Sequence, residues 1–184
     1  MVKKIYLIRH GETDLNKKRA FYGSLDVPIN ETGIKQATHL REKMTEKKVD
    51  AVFTSGLKRA QMTGDIVFPD KSKKSEVGFN EKGFGLWEGL IADEIEAAFP
   101  KEWQAWLDAP FDYIPPEAEA FLTFKKRVIE AFKNVLENYK QADNIAIVSH
   151  LGVIRVLITY LDPKQDFWSV EIAQDGYLEW VLEE

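Results

Sequence analysis

The chain has 184 residues, of which 45% are hydrophobic and 30% are charged, and its formal net charge is −5. This length and composition are typical of a single globular domain, and the acidic balance argues against a general nucleic-acid-binding protein. The absence of cysteine excludes disulfides and thiolate chemistry, and no apolar run approaches the roughly 20 residues that a membrane-spanning helix needs. With no signal-peptide segment before the first strand, these features predict a cytoplasmic protein that binds neither nucleic acid nor membrane.

The first predicted element is a short buried strand, Ile5 to Ile8, which ends abruptly at Arg9-His10-Gly11. In α/β proteins, ligands bind where strands open into loops at the carboxyl edge of the sheet. Arg9 offers a guanidinium fork that suits phosphate or carboxylate, and His10 is able to act as nucleophile, acid, base, metal ligand or anion-binding group. Taken alone, the stretch fits equally well a strand that ends at the surface in ordinary polar residues.

Two helices and two strands are predicted between this stretch and residue 80. After a loop over residues 11–30, Thr32 is placed to cap a helix. A second strand, Val49 to Thr54, is followed by a helix that begins near Leu57. Glu76 to Phe79 is predicted to be a short edge strand.

The rest of the chain alternates helices with strands. The glycine-rich stretch 80–89 is predicted to be an ordered loop, and Trp103 and Trp106 are predicted to pack in the core. The elements predicted after this loop are helices over Ile91 to Phe99, Lys101 to Leu107, Ala120 to Tyr139 and Val153 to Leu161, and strands over Asn144 to Val148 and Tyr177 to Leu182. This alternation predicts one α/β domain over residues 1–184, with a mainly parallel sheet covered on both faces and a final strand at an edge.

Charged or titratable groups follow three of the predicted strands: Arg9-His10, Ser55 leading to Arg59, and Ser149-His150. If these strands are parallel neighbours, their ends lie at one edge of the sheet, with Arg59 and His150 at helix N-termini, which attract anions. Two arginines and two histidines around such an edge predict a pocket for a phosphate dianion.

A metal site is the competing interpretation, with His10, His150 and a carboxylate as ligands. Two arginines beside the same histidines would repel a divalent cation, and the sequence has no H-x-H or H-E-x-x-H spacing. We therefore predict a site that holds no metal and no cofactor.

Four motifs, in order along the chain, resemble those of the histidine phosphatase superfamily, whose members include the cofactor-dependent phosphoglycerate mutases. They are Arg9-His10-Gly11-Glu12-Thr13 with the loop and helix after it, Thr54-Ser55-Gly56-Leu57-Lys58-Arg59-Ala60, the acid-bearing loop of Glu81 with Gly85, Trp87, Glu88 and Gly89, and Val148-Ser149-His150-Leu151-Gly152. The resemblance covers nearly the whole chain. It implies a three-layer α/β/α sandwich with a mainly parallel central sheet and an antiparallel edge strand, as in the phosphoglycerate mutases.

The resemblance also implies the catalytic roles. His10 would be the nucleophile that forms a phosphohistidine, and Glu81 would protonate the leaving alkoxide and then deprotonate the attacking water. Arg9, Arg59 and His150 would hold the phosphoryl oxygens and offset their charge. We further predict that the surrounding cations keep His10 uncharged near neutral pH.

A second group of residues is expected to bind the substrate. Thr13 and Asn16 would donate further hydrogen bonds to the phosphate. Tyr22, Gly23 and Leu151 are expected to contact the substrate at the mouth of the pocket.

Trp87-Glu88-Gly89-Leu90 and residues 99–107 resemble most the α-ribazole phosphatase branch, which removes the 5′-phosphate of α-ribazole phosphate in cobalamin assembly. We therefore expect a phosphatase for a small phosphate ester, with α-ribazole 5′-phosphate as the leading substrate. The alternatives are, in order, a broader phosphatase for sugar or glycerate phosphates, a mutase, and a non-catalytic binder of a phosphorylated partner. Departures from the family pattern at Ala118-Glu119-Ala120, Leu151 and Asn80 bear on the substrate more than on the reaction.

Overall fold

The structure of the chain, a computed structural model, describes residues 1–182. Its strands are Lys4–Arg9 (β1), Ala51–Thr54 (β2), Lys73–Ser75 (β3), Asn144–Ser149 (β4) and Tyr177–Val181 (β5). Its α-helices are Asp14–Lys18 (α1), Glu31–Met44 (α2), Lys58–Val67 (α3), Ala92–Ala98 (α4), Pro100–Asp108 (α5), Phe121–Asn138 (α6) and Leu151–Leu161 (α7). Within residues 1–182, no helix combines the length and the apolar character that crossing a membrane requires.

The five strands form one sheet in the order β3-β2-β4-β1-β5. All neighbouring strands are parallel except β5, which pairs antiparallel with β1 at the edge. Arg9 lies opposite Ser149, and Thr54 lies opposite Val148, so β1, β4 and β2 end side by side. The mainly parallel sheet with an antiparallel edge strand confirms the predicted fold.

Each face of the sheet is covered by a pair of helices. The odd-numbered apolar residues of β1 and β4 pack against α6 and α7, and the even-numbered ones, Tyr6, Ile8, Ala146 and Val148, pack against α2 and α3. Because both faces are buried, these strands are continuous apolar runs without polar alternation. Each fully buried large apolar side chain contributes about 1.5–3 kcal/mol, and the resulting layers hold the strand ends in place.

The predicted edge strand at Glu76 to Phe79 is wrong. The third strand is β3, which ends one residue earlier, and Val77–Phe79 forms a 3₁₀ turn. The backbone N–H of Gly78 donates to the Glu76 carboxylate at 2.9 Å, so a side chain replaces the neighbouring strand as its partner.

The start of α2 and the loop before it also differ from the prediction. Asn30, and not Thr32, caps α2, because its Oδ1 accepts from the backbone N–H of Gly33 at 2.9 Å. Residues 14–18 form the short helix α1, in which Thr13 and Asn16 make reciprocal capping bonds.

Trp103 and Trp106 pack differently from the prediction as well. They are half-buried and stack on each other, with ring centroids 5.3 Å apart. Both contact Phe21 and the fully buried Trp87 edge-on, in an aromatic cluster outside the two cores of the sheet.

Candidate active site

The loops that follow β1, β2 and β4 begin side by side at one edge of the sheet, as the sequence predicted. The backbone N–H of His10 donates to the Ser149 carbonyl at 2.9 Å, and that of Ser55 donates to the Val148 carbonyl at 3.0 Å. A cavity of about 460 Å³, here called the catalytic cavity, opens at this edge. Of the predicted site residues, its lining includes Arg9, His10, Asn16, Tyr22, Arg59, Glu81 and Leu151.

His10 is almost fully buried and uncharged. Its Nδ1 lies 2.8 Å from the carbonyl oxygen of Gly11, and because a carbonyl only accepts, Nδ1 carries the proton. Nε2 is therefore the nitrogen with a free lone pair. Burial, followed by the charge of Arg59, lowers the pKa of His10 from 6.5 to about 3. The direction agrees with the prediction, although burial contributes more than the cations do.

His150 is the residue immediately before α7, where its side chain makes no capping bond, and its ring centroid lies 5.1 Å from that of His10. Its Nδ1 accepts from Arg59 Nε at 3.3 Å, and its Nε2 lies 2.7 Å from Ser55 Oγ. Because Nδ1 accepts, the proton of the neutral ring is on Nε2. Burial, followed by the charge of Arg59, lowers the pKa of His150 well below its usual value.

Arg59 is fully buried in the first turn of α3. Its Nη1 donates to the Leu25 carbonyl at 2.7 Å, and its Nη2 donates to the Gly23 carbonyl at 2.8 Å. Its guanidinium carbon lies 4.7 Å from the ring centroid of Tyr22. Together with the bond to His150, these contacts engage three of the five guanidinium N–H groups, which leaves two for an anion.

Arg9 has even fewer partners. Its Nη1 donates to the Ile172 carbonyl at 3.5 Å, and its buried Nε has no hydrogen-bond partner among the described residues. Burial lowers the pKa of the Arg9 guanidinium, since a desolvated cation that has no counter-charge in ion-pair contact among the described residues is unfavourable. An anion in the catalytic cavity would supply that counter-charge and the missing hydrogen-bond acceptor.

Thr13, Asn16 and Tyr22 form one hydrogen-bonded unit. Thr13 is fully buried, and its Oγ1 lies 2.7 Å from the Tyr22 hydroxyl, so it supports the cavity lining without forming part of it. Asn16 Oδ1 accepts from the Thr13 backbone N–H at 3.1 Å and from Gln174 Nε2 at 3.0 Å. Because its oxygen is occupied by protein donors, Asn16 has its Nδ2 hydrogens available for an acceptor in the cavity.

The Glu81 carboxylate is held by two backbone donors. Its Oε1 accepts from the N–H of Lys82 and its Oε2 from the N–H of Gly152, both at 2.9 Å. Gly152 lies in the first turn of α7, where the helix dipole stabilises negative charge. A Cβ at position 152 would lie 2.3 Å from Glu81 Oε1, so this close approach requires glycine.

These groups fit the chemistry of phosphoryl transfer: a neutral imidazole nitrogen, free guanidinium donors and a carboxylate around one cavity. The model of the histidine phosphatase superfamily (branch 1) matches residues 5–181. The chain belongs to this superfamily. The predicted membership is confirmed, and because the relatives that the chain resembles over most of its length include phosphatases, the chain is a phosphatase.

Several relatives within the superfamily resemble the chain over most of its length. The adenosylcobalamin/alpha-ribazole phosphatase of Escherichia coli (strain K12) is 32% identical over 175 residues, which are 93% of this chain and 86% of that protein. The alpha-ribazole phosphatase from Shigella flexneri superposes with a TM-score of 0.89 at 32% identity and covers 96% of this chain and 89% of that one. The phosphoglycerate mutase from Bacillus anthracis superposes with a TM-score of 0.83 at 25% identity and covers 98% and 92%, respectively.

Sequence reasoning gave no role to Glu88, which organises a loop of this histidine phosphatase. Its Oε1 accepts from the backbone N–H groups of Gly23, Ser24 and Phe84 at 2.8–3.0 Å, and its Oε2 accepts from that of Leu25 at 2.8 Å. The carbonyl groups of Gly23 and Leu25 bind Arg59. Residues 23–25 are thus held between a carboxylate and a guanidinium, which orients Arg59 before any ligand binds.

Gly23, predicted to contact the substrate, belongs to this loop and is not among the residues that line the catalytic cavity. A Cβ on it would lie 1.7 Å from the Lys82 carbonyl oxygen, so its lack of a side chain lets two loops touch.

Arg127 was also missed. It donates to both oxygens of Glu119 at 2.7 and 2.8 Å and to the carbonyl groups of Asn80 and Glu81 at 2.7 and 3.0 Å. In the sequence it is the last of three consecutive basic residues, which suggests a solvated surface. Its position three residues after the buried Phe124 was the available signal, because residues three apart share a helix face.

The contacts of Asn80 account for one departure from the family pattern, and nothing in the structure explains the two alanines, Ala118 and Ala120, that flank Glu119. Glu119 is the ion-pair partner of Arg127, and Asn80 Oδ1 accepts from the backbone N–H of Gly56 at 2.7 Å. Both side chains therefore hold the loop that carries Glu81. Leu151, the third departure, lines the catalytic cavity as the first residue of α7.

Proposed function

We propose that the chain is a metal-independent phosphomonoesterase that works through a phosphohistidine at His10, with α-ribazole 5′-phosphate as its leading substrate. The observation that carries the mechanism is the fixed tautomer of His10, which has a lone pair on Nε2 at neutral pH beside guanidinium N–H groups that lack acceptors. A nucleophile next to unsatisfied cationic donors suits a phosphoryl dianion.

The reaction follows in two steps. In the first, which starts from the protonated form of Glu81, His10 Nε2 attacks phosphorus, the bond from phosphorus to the ester oxygen breaks, and Glu81 gives its proton to the leaving oxygen. In the second, Glu81 takes a proton from water, the resulting hydroxide attacks phosphorus, and the bond between nitrogen and phosphorus breaks to give inorganic phosphate. The second step restores the proton on Glu81 and the free His10 that the first step consumes, so no co-reactant besides water is needed.

The remaining predicted residues hold the phosphoryl oxygens in this proposal. Arg9 offers its unpartnered Nε–H, Arg59 offers its two free N–H groups, and Asn16 offers Nδ2. His150 is not among the residues that line the catalytic cavity, and its Nε2 proton is bonded to Ser55, so the proposal requires that a phosphate oxygen share this proton with Ser55. Thr13 acts one step further away, because its hydroxyl bonds to that of Tyr22, which itself lines the catalytic cavity.

The printed names of the relatives support the substrate assignment. The Escherichia coli and Shigella flexneri proteins are named as alpha-ribazole phosphatases, and both match at 32% identity. The fold does not separate a phosphatase from a mutase, because the Bacillus anthracis phosphoglycerate mutase superposes nearly as well. A broader phosphatase for small phosphate esters is the second candidate, favoured by a catalytic cavity whose cationic side chains, Arg9, Arg19 and Arg59, suit the phosphate itself.

Phosphate release, measured in EDTA with wild type and His10→Ala, tests the proposal. The substrates are α-ribazole 5′-phosphate, 3-phosphoglycerate and an aryl phosphate. We expect the wild type to prefer α-ribazole 5′-phosphate strongly. The rate of phosphate release should fall more than about 1,000-fold in the variant, since it lacks the nucleophile. Even, weak activity on all three esters would support the broader phosphatase. Release only in the presence of metal, or unchanged release by the variant, would refute the mechanism.

Trapping of the intermediate separates turnover from simple binding. Rapid acid-free quenching with a ³²P-labelled ester should give a labelled protein that loses its phosphate in acid and decays with water at the rate of turnover. A labelled protein that never releases phosphate would indicate a binder of phosphorylated ligands.

A further inference from the structure

A second cavity, of about 190 Å³, opens beside the catalytic one and shares Tyr22, Glu81, Phe84 and Leu151 with it. The rest of its wall is mostly aromatic, and we call it the aromatic pocket; it includes Trp106, Phe111, Phe121, Phe167 and Trp168. An apolar cavity of roughly 150 Å³ accommodates benzene, so this volume suits a small aromatic ring system. Because Glu81 belongs to both cavities, a group in the aromatic pocket lies next to the oxygen that Glu81 protonates.

The aromatic walls are held by contacts with each other and with Arg155. Phe111 and Trp168 stack with ring centroids 5.4 Å apart and planes inclined by 21°. Arg155 Nε donates to the Val170 carbonyl at 3.0 Å, and its guanidinium carbon lies 5.4 Å from the ring centroid of Trp168. Trp168 still exposes 45% of its surface. The pocket is therefore formed before a ligand arrives and offers ring faces for stacking.

Lys82 adds a polar group to this apolar wall. Only 8% of its surface is exposed, and its ammonium makes one hydrogen bond, to the Gly83 carbonyl at 3.3 Å. The ammonium also lies 4.5 Å from the ring centroid of Phe84. An ammonium has three N–H donors, so two of them have no hydrogen-bond acceptor among the described residues. Buried donors without acceptors are costly, and an acceptor on a bound ligand would remove that cost.

We propose that the aromatic pocket binds the leaving group: it stacks an aromatic ring carried by the alcohol part of the phosphate ester, and Lys82 donates a hydrogen bond to an acceptor atom of that ring. This inference rests on the proposed function, since it assumes phosphoryl transfer to His10. It assigns the selection among esters to Trp168, Phe111 and Lys82, which line the aromatic pocket and not the catalytic cavity. A heteroaromatic base on a ribose 5′-phosphate has both features, and a glycerate phosphate has neither.

Three ribose 5-phosphates test the proposal because they share the oxygen that leaves. They are the 5′-phosphates of benzimidazole riboside and indole riboside, and 1-deoxyribose 5-phosphate. We expect the kcat/KM for the benzimidazole ester to exceed that for the ester without a base by about tenfold or more, as expected for stacking of one base. The kcat/KM for the indole ester, which lacks the acceptor nitrogen, should lie between these two values.

Two variants separate the stacking from the hydrogen bond. Trp168→Ala should lower kcat/KM for both base-bearing esters by about tenfold and leave 1-deoxyribose 5-phosphate within about twofold. Lys82→Met should make the kcat/KM values for the benzimidazole and indole esters equal; the ratio of the two values is the readout, because any effect of the variant on Glu81 changes both alike. Tyr160→Ala is the matched control, because Tyr160 is also partly exposed but lines neither cavity. If Trp168→Ala fails to fold, Phe111→Leu takes its place.

The outcomes distinguish this inference from the proposed function. Equal kcat/KM for the three esters in wild type, or equal losses for all three in Trp168→Ala, would overturn the leaving-group subsite while phosphatase activity remains. Release from none of the esters would overturn the proposed function. The subsite is then tested by measuring how tightly the esters bind to His10→Ala, with tryptophan fluorescence as the signal. Tighter binding of the benzimidazole ester than of 1-deoxyribose 5-phosphate supports the subsite, and equal binding refutes it.

Discussion

Gly152→Ala tests whether the position of the Glu81 carboxylate limits catalysis. The new Cβ would lie 2.3 Å from Glu81 Oε1, whereas ordinary contacts begin at 3.4 Å, so the carboxylate must retreat by about 1 Å. The hydrogen bond from the Gly152 N–H to Oε2 would then be strained or lost. A displacement of about 1 Å in a catalytic group costs roughly 100-fold in rate, so we expect kcat to fall by about that factor.

Stability should change little in the same variant. The clashing atom is the end of a flexible side chain, which moves at low cost, and alanine is preferred over glycine in helices by roughly 1 kcal/mol. The assay is therefore steady-state phosphate release together with thermal unfolding. Gly176→Ala is the control, because the nearest atom to a Cβ there lies at 3.5 Å.

The background variant Glu81→Gln makes the test specific. If Gly152→Ala acts through the carboxylate, it should lower kcat in the wild type and have little further effect in Glu81→Gln, since residues that act as a unit are not additive. A wild-type kcat in Gly152→Ala would refute the reasoning. So would a loss of equal size in both backgrounds.

Two further predictions concern His10 and Glu88. The folded pKa of His10 is depressed to about 3, so its contribution to stability is full above 6.5 and declines as the pH falls towards 3. Between pH 7 and 5 the loss through His10 should be about 2 kcal/mol, and urea unfolding of His10→Gln should show a pH dependence weaker by that amount. Glu88→Gln should lower kcat/KM at least tenfold, because four backbone donors lose an ionised acceptor and Arg59 loses its oriented loop. Faster amide hydrogen exchange at Ser24 and Leu25 should accompany this loss, and unchanged exchange would contradict it.

The fold and the centre of the site were accessible from the sequence because they depend on simple rules. Buried parallel strands are apolar runs, and their carboxyl ends meet at one edge when the strands are neighbours. Arg9, His10, Arg59 and His150 follow such strands directly, so the strand order alone brings them together. Edge strand β3 was misplaced because a hydrogen bond from the Gly78 backbone N–H to the Glu76 carboxylate competed with pairing, and such local competition has no periodic signal.

The supporting residues were not accessible in the same way. Apart from the Phe84 amide, the backbone groups that Arg127 and Glu88 bind lie 46 or more residues away in the sequence, such as the Glu81 carbonyl and the Gly23 amide. Nothing in the sequence distinguishes Lys82 from the other lysines, and only its burial in the folded chain makes it unusual.

The sequence by itself determined the superfamily, the layered α/β architecture and the set of groups that meet at the strand ends, because these follow from periodicity and from motifs of adjacent residues. Only the tertiary structure decided which nitrogen of His10 has the lone pair, which guanidinium N–H groups are free, and that an aromatic pocket with a buried Lys82 adjoins Glu81. Tautomers, unpartnered donors and cavities depend on which distant groups come within hydrogen-bond or van der Waals distance, and long-range packing alone sets those distances.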